Sequence, residues 1–143
     1  MTRQEKYPDT STFHFFNANP RNRITTDCVI RAISTATEIP YERVVMEMAE
    51  LQCKTGYDDG DSKLIDLYLK SKGWRKHPQP RKGDGTKYTG SEFCQAVREY
   101  PMDYPDRIIA NIGGHHTVAI IFGRVYDTWD STDGCIGNYW TEK

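Results

Sequence analysis

Apolar residues recur along the chain first at helical and then at extended spacing, and the change falls near Pro105. Residues 1 to 26 show no apolar period, and Asn17, Asn19, Pro20, Arg21 and Asn22 are turn formers, so this part, 1–18 above all, is expected to be irregular. From Thr26-Asp27-Cys28 a hydroxyl or carboxylate cap leads into Val29, Ile30, Ala32, Ile33 and Ala36. Their spacing predicts a buried helix with Cys28 in its first turn. Pro40 suits the first turn of a second helix, which carries Val44, Val45, Met48 and Leu51 on one stripe and is closed by Gly56. Asp61 or Ser62 opens a third, with Leu64, Ile65, Leu67, Tyr68 and Leu69, and Gly73 stops it. Residues 78–90 are too rich in Pro, Gly and charge for anything but loop. Thr89 with Glu92 then forms a capping box ahead of Phe93, Ala96 and Val97, which predicts a short fourth helix.

Beyond Pro105 the pattern predicts strands over 107–112, 116–122 and 124–129. Gly123 makes the turn between the last two, and Asn138-Tyr139-Trp140 adds a short edge strand. The expected architecture is therefore α+β, one domain over 1–143 with helices first and an antiparallel sheet after them.

Charge changes this picture little. Against 20 acidic residues stand 19 basic ones, for a net charge of −1, which excludes wholesale capture by nucleic acid or by an anionic membrane. A local exception is the stretch from Lys70 to Lys87, where only Asp84 offsets the Lys and Arg residues. It is a candidate contact for nucleic acid or an acidic partner, although no aromatic interleaving accompanies it and a solvated helix end plus loop is the plainer reading. The opening residues are polar and lack the apolar core of a signal peptide, so a cytoplasmic protein with reduced cysteines is expected. Its four cysteines form no CxxC pair, the aspartates at 58–61 and 127–133 do not fit an EF-hand, and no phosphate loop appears. No metal or cofactor is expected.

Candidate chemistry centres on Cys28. A thiol in the first turn of a helix sits in partial positive charge, which favours the thiolate. A lone cysteine is by default a small buried apolar residue. What changes that reading is a base and a third group to orient it. If Gly123 belongs to a two-residue turn, even-numbered residues of the strand before it share a face with odd-numbered residues of the strand after it, which puts His116 and Asp127 on one side. A three-residue loop brings Asp130 there instead. His115 and His116 face opposite ways, and His116 is preferred because it shares a face with Val118 and Ile120, expected to pack against the helix of Cys28. His14 and His77 are read as structural.

The order Cys28, His116, Asp127, with the cysteine on the first helix and the others on a later hairpin, resembles the papain-like cysteine peptidase superfamily. Asp127-Thr128-Trp129 is similar to the Asn-Ser-Trp of papain-type enzymes, whose tryptophan shields the histidine contact from water. Asn19-Pro20, Asp27-Cys28-Val29-Ile30-Arg31-Ala32-Ile33, Val125-Tyr126-Asp127-Thr128-Trp129-Asp130 and Gly137-Asn138-Tyr139-Trp140 most resemble small phage and prophage-encoded members. The resemblance implies a papain-like fold and a thiol hydrolase that cleaves a peptide, isopeptide or related amide in a peptide or protein substrate. Cys28 would be the nucleophile, His116 the base and Asp127 its partner. Asn22, at the offset where those enzymes place a glutamine, and the Cys28 backbone amide would hold the oxyanion. Trp129 and His115 would contact substrate. The alternatives are acyl transfer by the same residues, or a binding or host-modulating protein that keeps the scaffold without turnover.

Overall fold

The computed structural model describes residues 1–142. Its elements are, in chain order, α1 (Arg3–Lys6), β1 (Phe13–Phe15), α2 (Cys28–Thr37), α3 (Tyr41–Thr55), α4 (Ser62–Ser71), β2 (Trp74–His77), α5 (Gly90–Glu99), β3 (Arg107–Ile112), β4 (His116–Ile121), β5 (Arg124–Asp127) and β6 (Ile136–Glu142). The fold is mixed α and β. No helix among the described residues is long and apolar enough to cross a membrane.

All six strands join one sheet in the order β1-β5-β4-β3-β6-β2. The pairs are antiparallel except β1 with β5, which is parallel. Side-chain alternation divides the sheet's two faces between two cores. Ile109, Ala119, Ile121 and Trp140 cluster with Ile33, Val44, Met48, Leu64 and Leu69 of α2, α3 and α4. Ile108, Ala110, Ile112, Val118, Ile120 and Val125 cluster with Phe93, Cys94 and Val97 of α5. Being covered on both faces explains why β4 is an unbroken apolar run after Thr117.

Local signals fix the element ends. The Thr89–Glu92 capping box opens α5, and Gly56 ends α3 with a left-handed φ of 75°. Phe122 and Gly123 both take positive φ, 50° and 74°, and make the two-residue turn whose twist suits a hairpin. That turn sets the register Ile121↔Arg124, Ile120↔Val125, Ala119↔Tyr126. The expected parity between 116 and 127 follows from it.

Four expectations are corrected. Residues 1–18 are not irregular throughout: they contain α1 and β1, and Phe13 is wholly buried in the core shared with α5. Trp74–His77, left without an element between the helix stop at Gly73 and the loop from Pro78, forms a strand, because Trp74 packs into the α2–α4 core while β6 supplies its backbone partners. Residues 136–142 are no edge strand but lie between β3 and β2. Helices also do not simply precede an antiparallel sheet, since β1 and β2 are interleaved with them and α5 covers the opposite face.

Removal of the Phe13 ring should be costly if β1 is an integral strand. Phe13→Ala is expected to lower stability by about 3–5 kcal/mol, the usual range for an emptied aromatic site. Met46→Ala, at a position 71% exposed, should leave it nearly unchanged. The urea midpoints of the two variants measure this; equal midpoints would make the N-terminal segment dispensable.

Candidate active site

The N-terminus of α2, the start of β4 and the end of β5 meet at one point. Cys28 is the first residue of α2, His116 the first of β4 and Asp127 the last of β5. The sulfur and the imidazole line the same cleft, close enough that each shifts the other's pKa. His116 Nε2 lies 2.5 Å from Asp127 Oδ2. With Nε2 donating to the carboxylate, Nδ1 is the ring nitrogen left for the sulfur. Three residues distant in sequence are thus brought to one place, with the imidazole bonded to the carboxylate and the sulfur beside it in the cleft.

The way they meet differs from the sequence expectation in one respect. Val118 and Ile120, which share the alternation of His116, belong to the α5 core, while Ala119 and Ile121 pack under α2. His116 meets Cys28 nonetheless from the first position of its strand, where it is paired with Ile112 of β3 but lies beyond the last β4–β5 pair, Ala119↔Tyr126. Asp127 rather than Asp130 is the partner: the Asp130 carboxylate is taken by the backbone N–H and hydroxyl of Thr132 in a local turn.

Asp127 is almost wholly buried, with 2% of its side chain exposed. Its Oδ1 accepts from Arg31 Nη1 at 2.5 Å and from the Thr128 backbone N–H at 2.7 Å, and its Oδ2 is left to His116. Arg31, also buried, donates through Nε to Asp27 Oδ1 at 2.8 Å. The second oxygen of Asp27 accepts from the Tyr41 hydroxyl at 2.6 Å and the Asn19 amide at 3.1 Å. Asp27 therefore makes no side-chain cap to α2, which leaves the amides of the first turn, Cys28 included, open toward the cleft. Neither carboxylate linkage was read from the sequence. The available signal was Arg31 itself, a charge on an otherwise apolar helix and one turn after Asp27.

The charges act on the two reactive groups in opposite senses. Burial works against an imidazolium, but the Asp127 carboxylate and the Cys28 sulfur outweigh it, and the His116 pKa is pushed up to about 9. Burial likewise opposes a thiolate, but His116, the Thr117 backbone amide and the charge of Arg31 hold the Cys28 pKa below its ordinary value. Both shifts favour the imidazolium–thiolate pair.

The pair opens into a cleft of about 660 Å³, whose walls include Ile24, Val29, Met48, His115, Thr117 and Trp129. The Trp129 ring lies against His116 with centroids 4.9 Å apart and planes tilted by 43°. His115 lines the cleft and is exposed to an incoming molecule. Asn22 does not line it. It is exposed, at φ 54°, in the turn closed by its own N–H to Asn19 O, and its side-chain oxygen faces the Asn17 amide. Turn geometry has used this residue elsewhere. The Lys70–Lys87 stretch also lies off the cleft, and two of its charges are paired, Lys72 with Glu47 and Lys82 with Glu92. His14 and His77 bond to Asp9 and Thr141 and take no part.

Asn22→Gly removes the amide while keeping the positive φ, and is expected to change hydrolysis of p-nitrophenyl acetate by less than about twofold. A true oxyanion donor would cost about a hundredfold or more, and such a loss would return Asn22 to the site. The chain matches no family model, no curated protein and no solved structure, so the chemistry of this cleft rests on its own atoms.

Proposed function

We propose that the chain is a papain-like thiol hydrolase that cleaves a peptide, isopeptide or related amide bond. The observation that carries this reading is the meeting of Cys28 with a His116 bonded to the buried Asp127 carboxylate at the wall of an open cleft. A structural cysteine needs none of this company. The nucleophile on the first turn of a helix, with histidine and aspartate supplied by a later hairpin and tryptophan against the imidazole, supports the papain-like assignment.

In this reading His116 holds the thiol proton as an imidazolium. The Cys28 thiolate attacks the substrate carbonyl carbon, and the carbonyl electron pair moves to oxygen. The uncapped first-turn amides of α2 face the resulting oxyanion with the positive end of the helix behind them. His116 gives its proton to the leaving amine as the carbon–nitrogen bond breaks, which leaves a thioester on Cys28. It then takes a proton from water, whose oxygen attacks the thioester, and the thiolate departs to regenerate the pair. Asp127 keeps the imidazole in the tautomer and orientation that both proton transfers need.

Alkylation by iodoacetamide at pH 6, read site by site by mass spectrometry, tests the thiolate. Cys28 is expected to react at least about tenfold faster than the exposed Cys53 and Cys135, and His116→Ala should remove the advantage. Equal, slow labelling of all three would favour a scaffold without turnover. Turnover has its own signature. Hydrolysis of p-nitrophenyl acetate should vanish in Cys28→Ala. With an amide substrate, a peptide p-nitroanilide, the rate should rise with pH as the thiol ionises and fall again near pH 9 as His116 loses the proton it must give to the leaving amine. Alkylation, which needs only the thiolate, should show no such alkaline fall.

A further inference from the structure

Two carboxylates, the buried Asp127 and the part-buried Asp27, share one guanidinium. The Arg31 side chain is only 8% exposed, and it is the cation that both acids contact. One positive charge cannot balance two negative ones, so the cluster is left one cation short, and His116, against Asp127 Oδ2, is placed to supply it. The arrangement thus favours an imidazolium at His116, which in turn favours a thiolate at Cys28.

Geometry makes the role of the arginine more specific. A carboxylate with two equivalent oxygens can swivel between partners. Here Oδ1 of Asp127 is held twice, by Arg31 Nη1 and by the Thr128 N–H, and Oδ2 carries the contact to His116. The guanidinium is itself fixed, since its Nε is bound to Asp27, and Asp27 is bound to Tyr41 and Asn19. Resting on the hydrolase reading above, we infer that Arg31 is a positioning residue for that reaction, a clamp that fixes the Asp127 carboxylate toward His116 and is anchored from behind by Asp27. The planar guanidinium serves this purpose because its donors leave in separate fixed directions, toward one acid through Nε and toward the other through Nη1. A lysine ammonium is a single point charge with no such fork.

Buried ion pairs are commonly fold devices, and the test must separate the two roles. In Arg31→Gln the Asp127 Oδ1 keeps only the Thr128 N–H, so the carboxylate is held less firmly, and the Arg31 charge that favours the thiolate is gone. The pH midpoint of Cys28 alkylation is expected to rise by about one unit, which lowers the rate at pH 6 about tenfold. Arg31→Lys should fail to restore it. A purely structural arginine would lower the urea midpoint and leave the alkylation midpoint where it is, and that result would overturn the inference.

Arg31→Gln strands two carboxylates. The double variant Asp27→Asn with Arg31→Gln removes one charge of each sign and keeps the balance of the cluster. It should fold and still show the raised alkylation midpoint; a wild-type midpoint would overturn the clamp. Should neither variant fold, Tyr41→Phe, at the anchored end of the chain, carries the test. A smaller rise in the same direction is expected, and none would count against the clamp. Wild type and His116→Ala in the same assay keep the two readings apart. An unreactive wild-type Cys28 ends both, whereas a reactive one with indifferent Arg31 variants ends only the inference.

Discussion

A carboxylate 2% exposed to solvent is the constraint around which the rest is arranged. A buried charge without partners costs several kcal/mol, so Asp127 dictates that donors come to it from elsewhere in the chain. They come from three directions: Arg31 on α2, His116 on β4 and the backbone of Thr128 just beyond β5. Satisfying one side chain therefore ties the N-terminal helix layer to the sheet, and it does so at the point where Cys28 begins α2. The proposed triad is a consequence of that knot as much as its purpose.

The fold delivers these groups by using element ends. Within a strand, alternation assigns each side chain to one of the two cores, and neither core has room for a reactive group. His116 and Asp127 stand at the first residue of β4 and the last of β5, each with a ladder partner on one side only, Ile112 and Phe15. The first turn of α2 is likewise the one place on that helix where amides lack intrahelical acceptors. Asp27 stands where a capping residue would consume one of them, but its carboxylate is committed to Arg31, Tyr41 and Asn19. The same acid thus anchors the charge network and leaves the helix terminus free toward the cleft.

Much of this was legible because the deciding signals are local. The turn at Phe122-Gly123 needs only two residues able to adopt positive φ, and its length settles the parity that aligns His116 with Asp127. The capping box of α5 and the apolar stripes of α2 and α4 are equally short-range. What escaped depends on distant partners. Phe13–Phe15 is three residues long and becomes a strand only by lying parallel to β5, and Trp74–His77 only by pairing with β6. The full extent of β6 was hidden because its place between β3 and β2 is set by segments distant in sequence. Arg31 was visible as a charge on an apolar helix, but nothing local said that its second acid sits on β5. Asn22 was misjudged because offset in sequence says nothing about which way a left-handed turn residue points.

The central claim is that His116 is an imidazolium held between a sulfur and a carboxylate at neutral pH. Titration of its ring by NMR, followed at the carbon between the two nitrogens in wild type and in Cys28→Ser, addresses this directly. The account predicts a midpoint near pH 9 in the wild type and a lower one once the sulfur is gone. A midpoint near 6.5, the ordinary value for histidine, in both proteins would contradict it.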